Sequence, residues 1–148
     1  MGSKKNQLNM SQVYLLGYNF VQATGWSYML GKMGTHFLAG GEVETLYSEV
    51  RIWLQVFQTL AMLEVVHAML GLVRSSVQVT LQQLFARMYI TWVILFSLPT
   101  SQLSLGFPIL LFAWTVTEVI RYSMYAVSTV ATPPYFLVWL RYLCCVNS

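Results

Sequence analysis

Long apolar stretches alternate with short polar ones along most of the chain. A helix needs about 20 mostly apolar residues to cross the hydrocarbon core of a bilayer. Three stretches approach that length, at 13–30, 52–73 and 103–120. A shorter apolar stretch covers 87–98 and is closed by Pro99. The pattern therefore predicts four membrane-spanning helices.

The segments between the predicted spans are polar. Segment 34–51 carries three glutamates, and we expect a polar connector that is partly an interfacial helix. Segment 78–86 is expected to be a short amphipathic link. A signal peptide has a charged region, then an apolar region, then a cleavage site of small residues. The first apolar stretch does not show these three parts clearly, so it is interpreted as a retained anchor.

A fifth apolar segment begins near the end of the sequence. Pro133 and Pro134 precede it, it starts at Tyr135, and Ser148 interrupts it. The fold class expected is therefore all-α, a polytopic transmembrane helical bundle with four spans and a truncated fifth. We interpret 1–148 as a single membrane-embedded domain that is incomplete at its C-terminus.

Composition supports membrane insertion and argues against a nucleic-acid surface. The chain is 57% hydrophobic and 9% charged, whereas soluble domains are about 25% charged. The net charge is only +3, and Lys4 and Lys5 form a small N-terminal flank. Cytosolic loops of membrane proteins carry an excess of basic residues. A cytosolic N-terminus places five basic residues on the cytosolic side (Lys4, Lys5, Arg74, Arg87, Arg121) and two on the other (Lys32, Arg51), so we predict that orientation.

Ionisable residues inside the apolar stretches are the main candidates for function, because charge at membrane depth is costly. Glu64, His67, Gly71 and Arg74 are spaced three, four and three, which predicts one helical face. A large anionic group arriving from the cytosol, such as coenzyme A or a lipid phosphate, would meet Arg74 and Arg121 at the predicted cytosolic ends.

A second group, Glu118, Arg121, Tyr122 and Tyr125, also has helical spacing. Arg121 is expected at the cytosolic end. Two interpretations of both groups stay open: their side chains line a pocket, or the acids pair with basic residues and hold the helices together.

Other chemistries have weaker support. Glu64-x-x-His67 has a spacing used in di-metal bundles, but too few further ligands lie in the spans. Cys144 and Cys145 are adjacent, so they do not predict a disulfide framework. The sequence contains no Gly-rich nucleotide loop. We therefore expect no metal site.

Three blocks of sequence resemble a known family, the very-long-chain 3-hydroxyacyl-CoA dehydratases, also called the protein-tyrosine-phosphatase-like A family. The blocks include LEVVH at 63–67 with GLVRS at 71–75, WTVTEVIRYS at 114–123, and WLRY at 139–142. The first block continues through Val77, Thr80, Gln83, Arg87 and Trp92. The resemblance covers roughly 13–142.

The resemblance implies a six-helix core in the endoplasmic-reticulum membrane. It implies the dehydration of (3R)-3-hydroxyacyl-CoA to trans-2-enoyl-CoA in fatty-acid elongation, with an acyl-CoA substrate, other elongation enzymes as partners and no cofactor. Six residues become candidates for lining or supporting the pocket: Glu64, His67, Arg74, Glu118, Arg121 and Tyr122.

The family's catalytic tyrosine and glutamate lie in a Tyr-Pro-x-Gly-x-x-x-Glu stretch. The resemblance places that stretch just past Ser148, so no residue of this chain is assigned a catalytic role, and the chain is expected to be inactive alone. The alternative is a non-catalytic membrane partner or competing isoform of the elongation machinery. A small transporter is a third hypothesis, which the absence of an inverted repeat disfavours.

Overall fold

The computed structural model describes residues 9–73 and 76–144, with the backbone alone for 141–144, and every regular element in this part is helical. The elements are α1 (Met10–Leu38), α2 (Val43–Leu60), α3 (Leu63–Met69), α4 (Val77–Met88), a π-helical segment (Tyr89–Leu95), α5 (Pro99–Leu103), α6 (Gly106–Val130) and α7 (Tyr135–Cys144). The all-α prediction is confirmed. The expectations for Lys4, Lys5, Arg74, Cys145 and Ser148 lie outside the described residues.

The predicted connector at 34–51 is much shorter in the structure, and most of that segment is helical. Helix α1 continues to Leu38, and α2 begins at Val43, so the loop is only four residues long. The physical reason is that Leu46, Val50 and Leu54 recur every fourth residue and are buried, while the glutamates lie on the exposed side of the helix.

The predicted span at 52–73 is not one straight helix. A turn at 61–62 separates α2 from α3, and α3 ends at Met69. Gly71 has a φ of +68°, and the Leu72 N–H donates a 2.9 Å hydrogen bond to the His67 carbonyl. This is a helix-ending motif that favours glycine. Gly71 therefore does not share a helical face with Glu64 and His67, contrary to the prediction.

The predicted link at 78–86 and the predicted span at 87–98 form one continuous helical run. Helix α4 passes directly into the π-helical segment, and Pro99 opens α5. Helix α6 starts slightly later than predicted and extends to Val130, with Pro108 in its first turn, where a missing N–H is tolerated. The break at 131–134 and the start of α7 at Tyr135 agree with the prediction.

Helix α1 packs most extensively against α6 and next against α2. The core between these helices includes Trp26, Met29, Leu54 and Leu111. Gly25 lets α1 approach α2 closely, because a Cβ at this position would lie 2.0 Å from the Phe57 ring. Small residues serve this purpose at helix contacts in membranes.

Only part of the membrane prediction has a direct counterpart in the helices. Among the described residues, one stretch, Val43–Met69, is both long and apolar enough to cross a membrane. The other three predicted spans do not meet both criteria there. Large apolar side chains are exposed on α1, on α6 and on the π-helical segment, including Phe20, Ile109 and Trp92.

Candidate functional site

The polar residues of α6 lie on its buried face. Glu118 and Tyr122 are spaced four apart, and their side chains are 1% and 0% exposed. Arg121 lies beside them, with 17% of its side chain exposed. The predicted helical face of the second group is therefore confirmed, and it points into the bundle.

Glu64 of α3 receives two donors from this face. The Arg121 Nη2 atom lies 2.8 Å from Glu64 Oε1, and the Tyr122 hydroxyl donates a hydrogen bond to the same oxygen. The Tyr122 hydroxyl also accepts a 3.1 Å hydrogen bond from Arg121 Nη2. Glu64, Arg121 and Tyr122 thus form a closed triangle that joins α3 to α6.

Glu118 lies between two arginines. Arg87 of α4 donates a hydrogen bond to Glu118 Oε1, and Arg121 Nη2 lies 2.7 Å from Glu118 Oε2 as an ion pair without hydrogen-bond alignment. We call Glu64, Arg87, Glu118, Arg121 and Tyr122 the ion cluster. Its two carboxylates balance its two guanidinium groups, which lowers the penalty for burying each charge.

Two tryptophans flank Arg87. Its guanidinium carbon lies 5.9 Å from the centre of the Trp26 ring and 5.1 Å from that of Trp114. A guanidinium within about 6 Å of an aromatic ring is attracted by the ring's quadrupole. Arg87 therefore links α1, α4 and α6 through one charged group.

His67 belongs to a neighbouring aromatic group. Its Nε2 atom is hydrogen-bonded to the Tyr14 hydroxyl at 3.0 Å, and Tyr18 packs edge-on against its ring at 4.8 Å. The Tyr18 hydroxyl donates to the Leu60 carbonyl at 3.1 Å, and its ring contacts that of Tyr122. His67 thus adjoins the ion cluster through Tyr18. Within the described residues, it forms no ion pair with Glu64 or Glu118.

The structure brings together most of the sequence-predicted site. Four candidates, Glu64, Glu118, Arg121 and Tyr122, are in the ion cluster. Arg74 lies outside the described residues. Arg121 was expected at a helix end, but α6 continues nine residues beyond it, because the apolar run extends to Val130.

Sequence reasoning missed Arg87 as a site residue. It also missed the α1 side chains that contact Arg87 or His67. Arg87 was interpreted as the flank of a short span, and no local spacing connects it to Glu118. A signal did exist on α1, since Tyr14, Tyr18, Gln22 and Trp26 recur every fourth residue and so share one helical face.

This arrangement positions helices and holds paired charges in a largely buried interior. Each carboxylate has at least one basic partner and accepts a hydrogen bond from it. In the part of the chain that the structure describes, no three His, Cys, Asp or Glu side chains converge as metal ligands would.

Comparison with known proteins gives a specific match. The model of the family described as protein tyrosine phosphatase-like protein, PTPLA, matches residues 58–146. This range contains the whole ion cluster and His67. No solved structure matches the chain.

Several curated proteins are similar over most of the chain. The very-long-chain (3R)-3-hydroxyacyl-CoA dehydratase hpo-8 of Caenorhabditis elegans is 48% identical over 132 residues, which are 88% of this chain and 61% of the relative. The dehydratase PASTICCINO 2B of Oryza sativa is 39% identical, over 88% of this chain and 59% of the relative. Dehydratase 1 of Ovis aries is 33% identical, over 96% of this chain and 49% of the relative. The chain therefore spans about half to three-fifths of the length of these relatives.

Proposed function

The chain belongs to the protein tyrosine phosphatase-like (PTPLA) family, and from this membership we propose that it acts in the dehydration of very-long-chain (3R)-3-hydroxyacyl-CoA. The product is trans-2-enoyl-CoA, which makes the protein a hydro-lyase of fatty-acid elongation. The names of its relatives support the reaction. The observation that carries the proposal is the family match over residues 58–146, which contain the whole buried ion cluster.

The reaction requires a base and an acid at adjacent carbons. The thioester acidifies the C2 proton, and a base removes it. The C2–H electron pair forms the C2–C3 double bond while the C3–O bond breaks, and an acid protonates the departing hydroxyl to give water. No oxidant or reductant takes part.

We assign the ion cluster a supporting role in this reaction. Its carboxylates are already engaged by Arg87, Arg121 and Tyr122, so neither is free to contact the substrate. The cluster instead holds α3, α4 and α6 in a defined arrangement around the acyl-CoA. His67 and Arg74 stay in the proposal as pocket or support residues, with Glu64, Glu118, Arg121 and Tyr122.

We place the protein in the endoplasmic-reticulum membrane as a multi-pass protein with a cytosolic N-terminus. At about 1.5 Å per residue, the 29 residues of α1 extend about 43 Å, and the 25 residues of α6 about 37 Å. Both exceed the hydrocarbon thickness of about 30 Å. Large apolar side chains exposed along these helices support lipid contact. Its proposed partners are the lipid bilayer and other elongation enzymes.

The proposal is tested with membranes that contain the protein and a long-chain (3R)-3-hydroxyacyl-CoA. The chain is assayed alone and as a fusion that carries the C-terminal part of the C. elegans relative, and trans-2-enoyl-CoA is measured by mass spectrometry. We expect product from the fusion with the (3R) substrate and none with the (3S) epimer, which is the matched control. A folded fusion that yields no product contradicts the proposal.

The second candidate is a non-catalytic partner of the elongation machinery. It is favoured by the complete pairing of the ion cluster, which leaves neither of its carboxylates without a basic partner. Co-purification of the chain with elongation enzymes, in the absence of any turnover by the fusion, is the outcome that selects this function. Release of those enzymes by Glu118→Gln would connect the association to the cluster.

A further inference from the structure

A cavity of about 270 Å³ lies apart from the ion cluster, where the first half of α2 meets α5. Tyr47, Ser48 and Arg51 of α2 form one wall, and Phe96 and Gln102 form the other. None of these five residues belongs to the ion cluster or contacts His67. The cavity therefore needs an explanation that the proposed dehydration does not provide.

Arg51 has no acidic partner within the described part of the chain. The ion pairs found there are Lys32–Glu49, Arg87–Glu118, Arg121–Glu64 and Arg121–Glu118. Arg87 and Arg121 are thus neutralised inside the bundle, whereas the guanidinium of Arg51 is exposed at the cavity. Its charge and its N–H donors are available to a ligand.

Tyr47 provides a second available donor. Its side chain is 6% exposed, and its buried hydroxyl lacks a hydrogen-bond partner among the described residues. The ring is held edge-on against Phe107 at 5.4 Å. A buried hydroxyl without a partner is unfavourable, and a ligand oxygen in the cavity would relieve this.

The other polar groups of the cavity already donate to the backbone. Ser48 Oγ donates to the Thr45 carbonyl at 2.7 Å, and Gln102 Nε2 donates to the Leu95 carbonyl at 2.5 Å. The Arg51 guanidinium and the Tyr47 hydroxyl are the lining groups without a described partner, and both can donate to a ligand. This set selects an anion with several acceptor oxygens, and a guanidinium suits phosphate because it can donate two parallel hydrogen bonds.

The size and surroundings of the cavity narrow the choice of anion. Pockets for drug-sized molecules occupy about 300–1,000 Å³, so this cavity suits a phosphate group better than a whole nucleotide. Phe96 of the cavity wall is an apolar side chain more than half exposed, and so are Ile52 and Leu98, which lie close to lining residues in sequence. An apolar surface next to a phosphate-sized polar cavity matches a lipid with its acyl chains attached.

We propose that this cavity binds the phosphate of an anionic phospholipid headgroup through Arg51 and Tyr47. The acyl chains of the lipid lie along the exposed apolar surface near Phe96. Arg51 donates to the phosphate oxygens, and Tyr47 supplies the buried hydrogen bond. The site is separate from the ion cluster, so it does not depend on the proposed dehydration.

The test measures lipid binding to the purified, delipidated protein in neutral detergent. Phosphatidylglycerol and phosphatidylcholine are titrated separately and followed by native mass spectrometry, and inorganic phosphate is titrated in a third series. The variants are Arg51→Gln and Tyr47→Phe. Lys32→Gln is the matched control, because it removes the same charge from a lysine that is paired with Glu49.

We expect Arg51→Gln to weaken phosphatidylglycerol binding roughly tenfold or more, as loss of a charge-assisted hydrogen bond implies. Tyr47→Phe should weaken it about threefold while leaving the ring on Phe107. Lys32→Gln should bind like the unmodified protein. If Arg51→Gln does not fold, the Tyr47→Phe result decides.

Three outcomes overturn the proposal. Equal binding by the unmodified protein and both cavity variants removes the site. An equal loss in Lys32→Gln shows a general effect of surface charge. Displacement of phosphatidylglycerol by inorganic phosphate at similar concentrations shows that the site takes free phosphate and overturns the lipid assignment.

Discussion

The Arg121 guanidinium donates a 2.8 Å hydrogen bond to Glu64, a residue 57 positions earlier in the chain. The same Nη2 atom lies 2.7 Å from Glu118 Oε2, so one cation bridges two carboxylates. Without Arg121, the Glu64 and Glu118 charges would repel each other in a largely buried space. Arg121 therefore joins α3 to α6 together with the Tyr122 hydroxyl, which donates to the same Glu64 oxygen.

The two carboxylates of the ion cluster differ in the number of their basic partners and in their burial. Glu118 pairs with both arginines and is 1% exposed, whereas Glu64 pairs with Arg121 alone and its side chain is 15% exposed. Removing one partner of a buried pair leaves an uncompensated charge. We expect Glu118→Gln to lower the free energy of unfolding by about 3 kcal/mol and Glu64→Gln by about half as much.

Thermal unfolding midpoints in detergent test whether Glu118→Gln is destabilised more than Glu64→Gln. Glu49→Gln is the matched control, because it makes the same change in an exposed pair between α1 and α2, and its midpoint should stay unchanged. A larger decrease of the unfolding midpoint in Glu64→Gln than in Glu118→Gln contradicts the assignment of Glu118 as the central acceptor.

The Tyr122 hydroxyl should contribute to stability through its hydrogen bond to Glu64. Tyr122→Phe removes that donor and keeps the buried ring, so we expect a loss of about 2 kcal/mol, as for hydrogen bonds to charged groups. Tyr125→Phe is the control on the next turn of α6, since no hydrogen bond of its hydroxyl is found within the described residues. Equal midpoints for the two variants would show that the hydroxyl contributes nothing.

Arg87 should require a planar guanidinium as well as a positive charge. Arg87→Lys keeps the charge for Glu118 but loses the stacking on Trp26 and Trp114, so we expect a loss of about 1 kcal/mol. A double-mutant cycle with Trp114→Phe measures the interaction directly. The stability loss of the double variant should be smaller than the sum of the losses of the two single variants. Strict additivity would show that Arg87 and Trp114 are energetically independent.

The approach of α1 to α2 should depend on the absence of a side chain at residue 25. Gly25→Ala places a Cβ against the Phe57 ring, so we expect a loss of about 1–3 kcal/mol from overpacking. Gly31→Ala is the matched control on the same helix, since a Cβ there meets no described atom within 4 Å and alanine favours helix by up to about 1 kcal/mol. Thermal midpoints should move in opposite directions, and a gain in both variants contradicts the close contact.

The proposed orientation predicts which loops are glycosylated in microsomal membranes. An Asn-x-Ser/Thr acceptor inserted in the loop at 39–42 should be modified, because that loop is assigned to the side away from the cytosol. The same insertion at 131–134 should stay unmodified. Ser11→Ala removes the natural Asn9-Met10-Ser11 acceptor from both proteins, so a mass shift reports the inserted acceptor alone. Modification of only the second loop would reverse the orientation.

Local patterns in the sequence were sufficient to predict several elements. The break before Tyr135 was predicted because two consecutive prolines do not continue a helix. The polar face of α6 was predicted from its spacing of three and four. The boundary between α1 and α2 was missed, because charged residues on the exposed face concealed the apolar positions at Leu46 and Val50.

By itself, the sequence determined the helical class, the family and the helix face that carries Glu118, because helical spacing and motifs are local properties. Only the tertiary structure decided that Arg87 joins Glu118 between two tryptophans, and that Arg121 bridges both carboxylates. The reason is that buried charges pair with whichever opposite charge the packing brings within about 3 Å. That choice depends on how α1, α3, α4 and α6 approach one another, which no spacing within a single helix records.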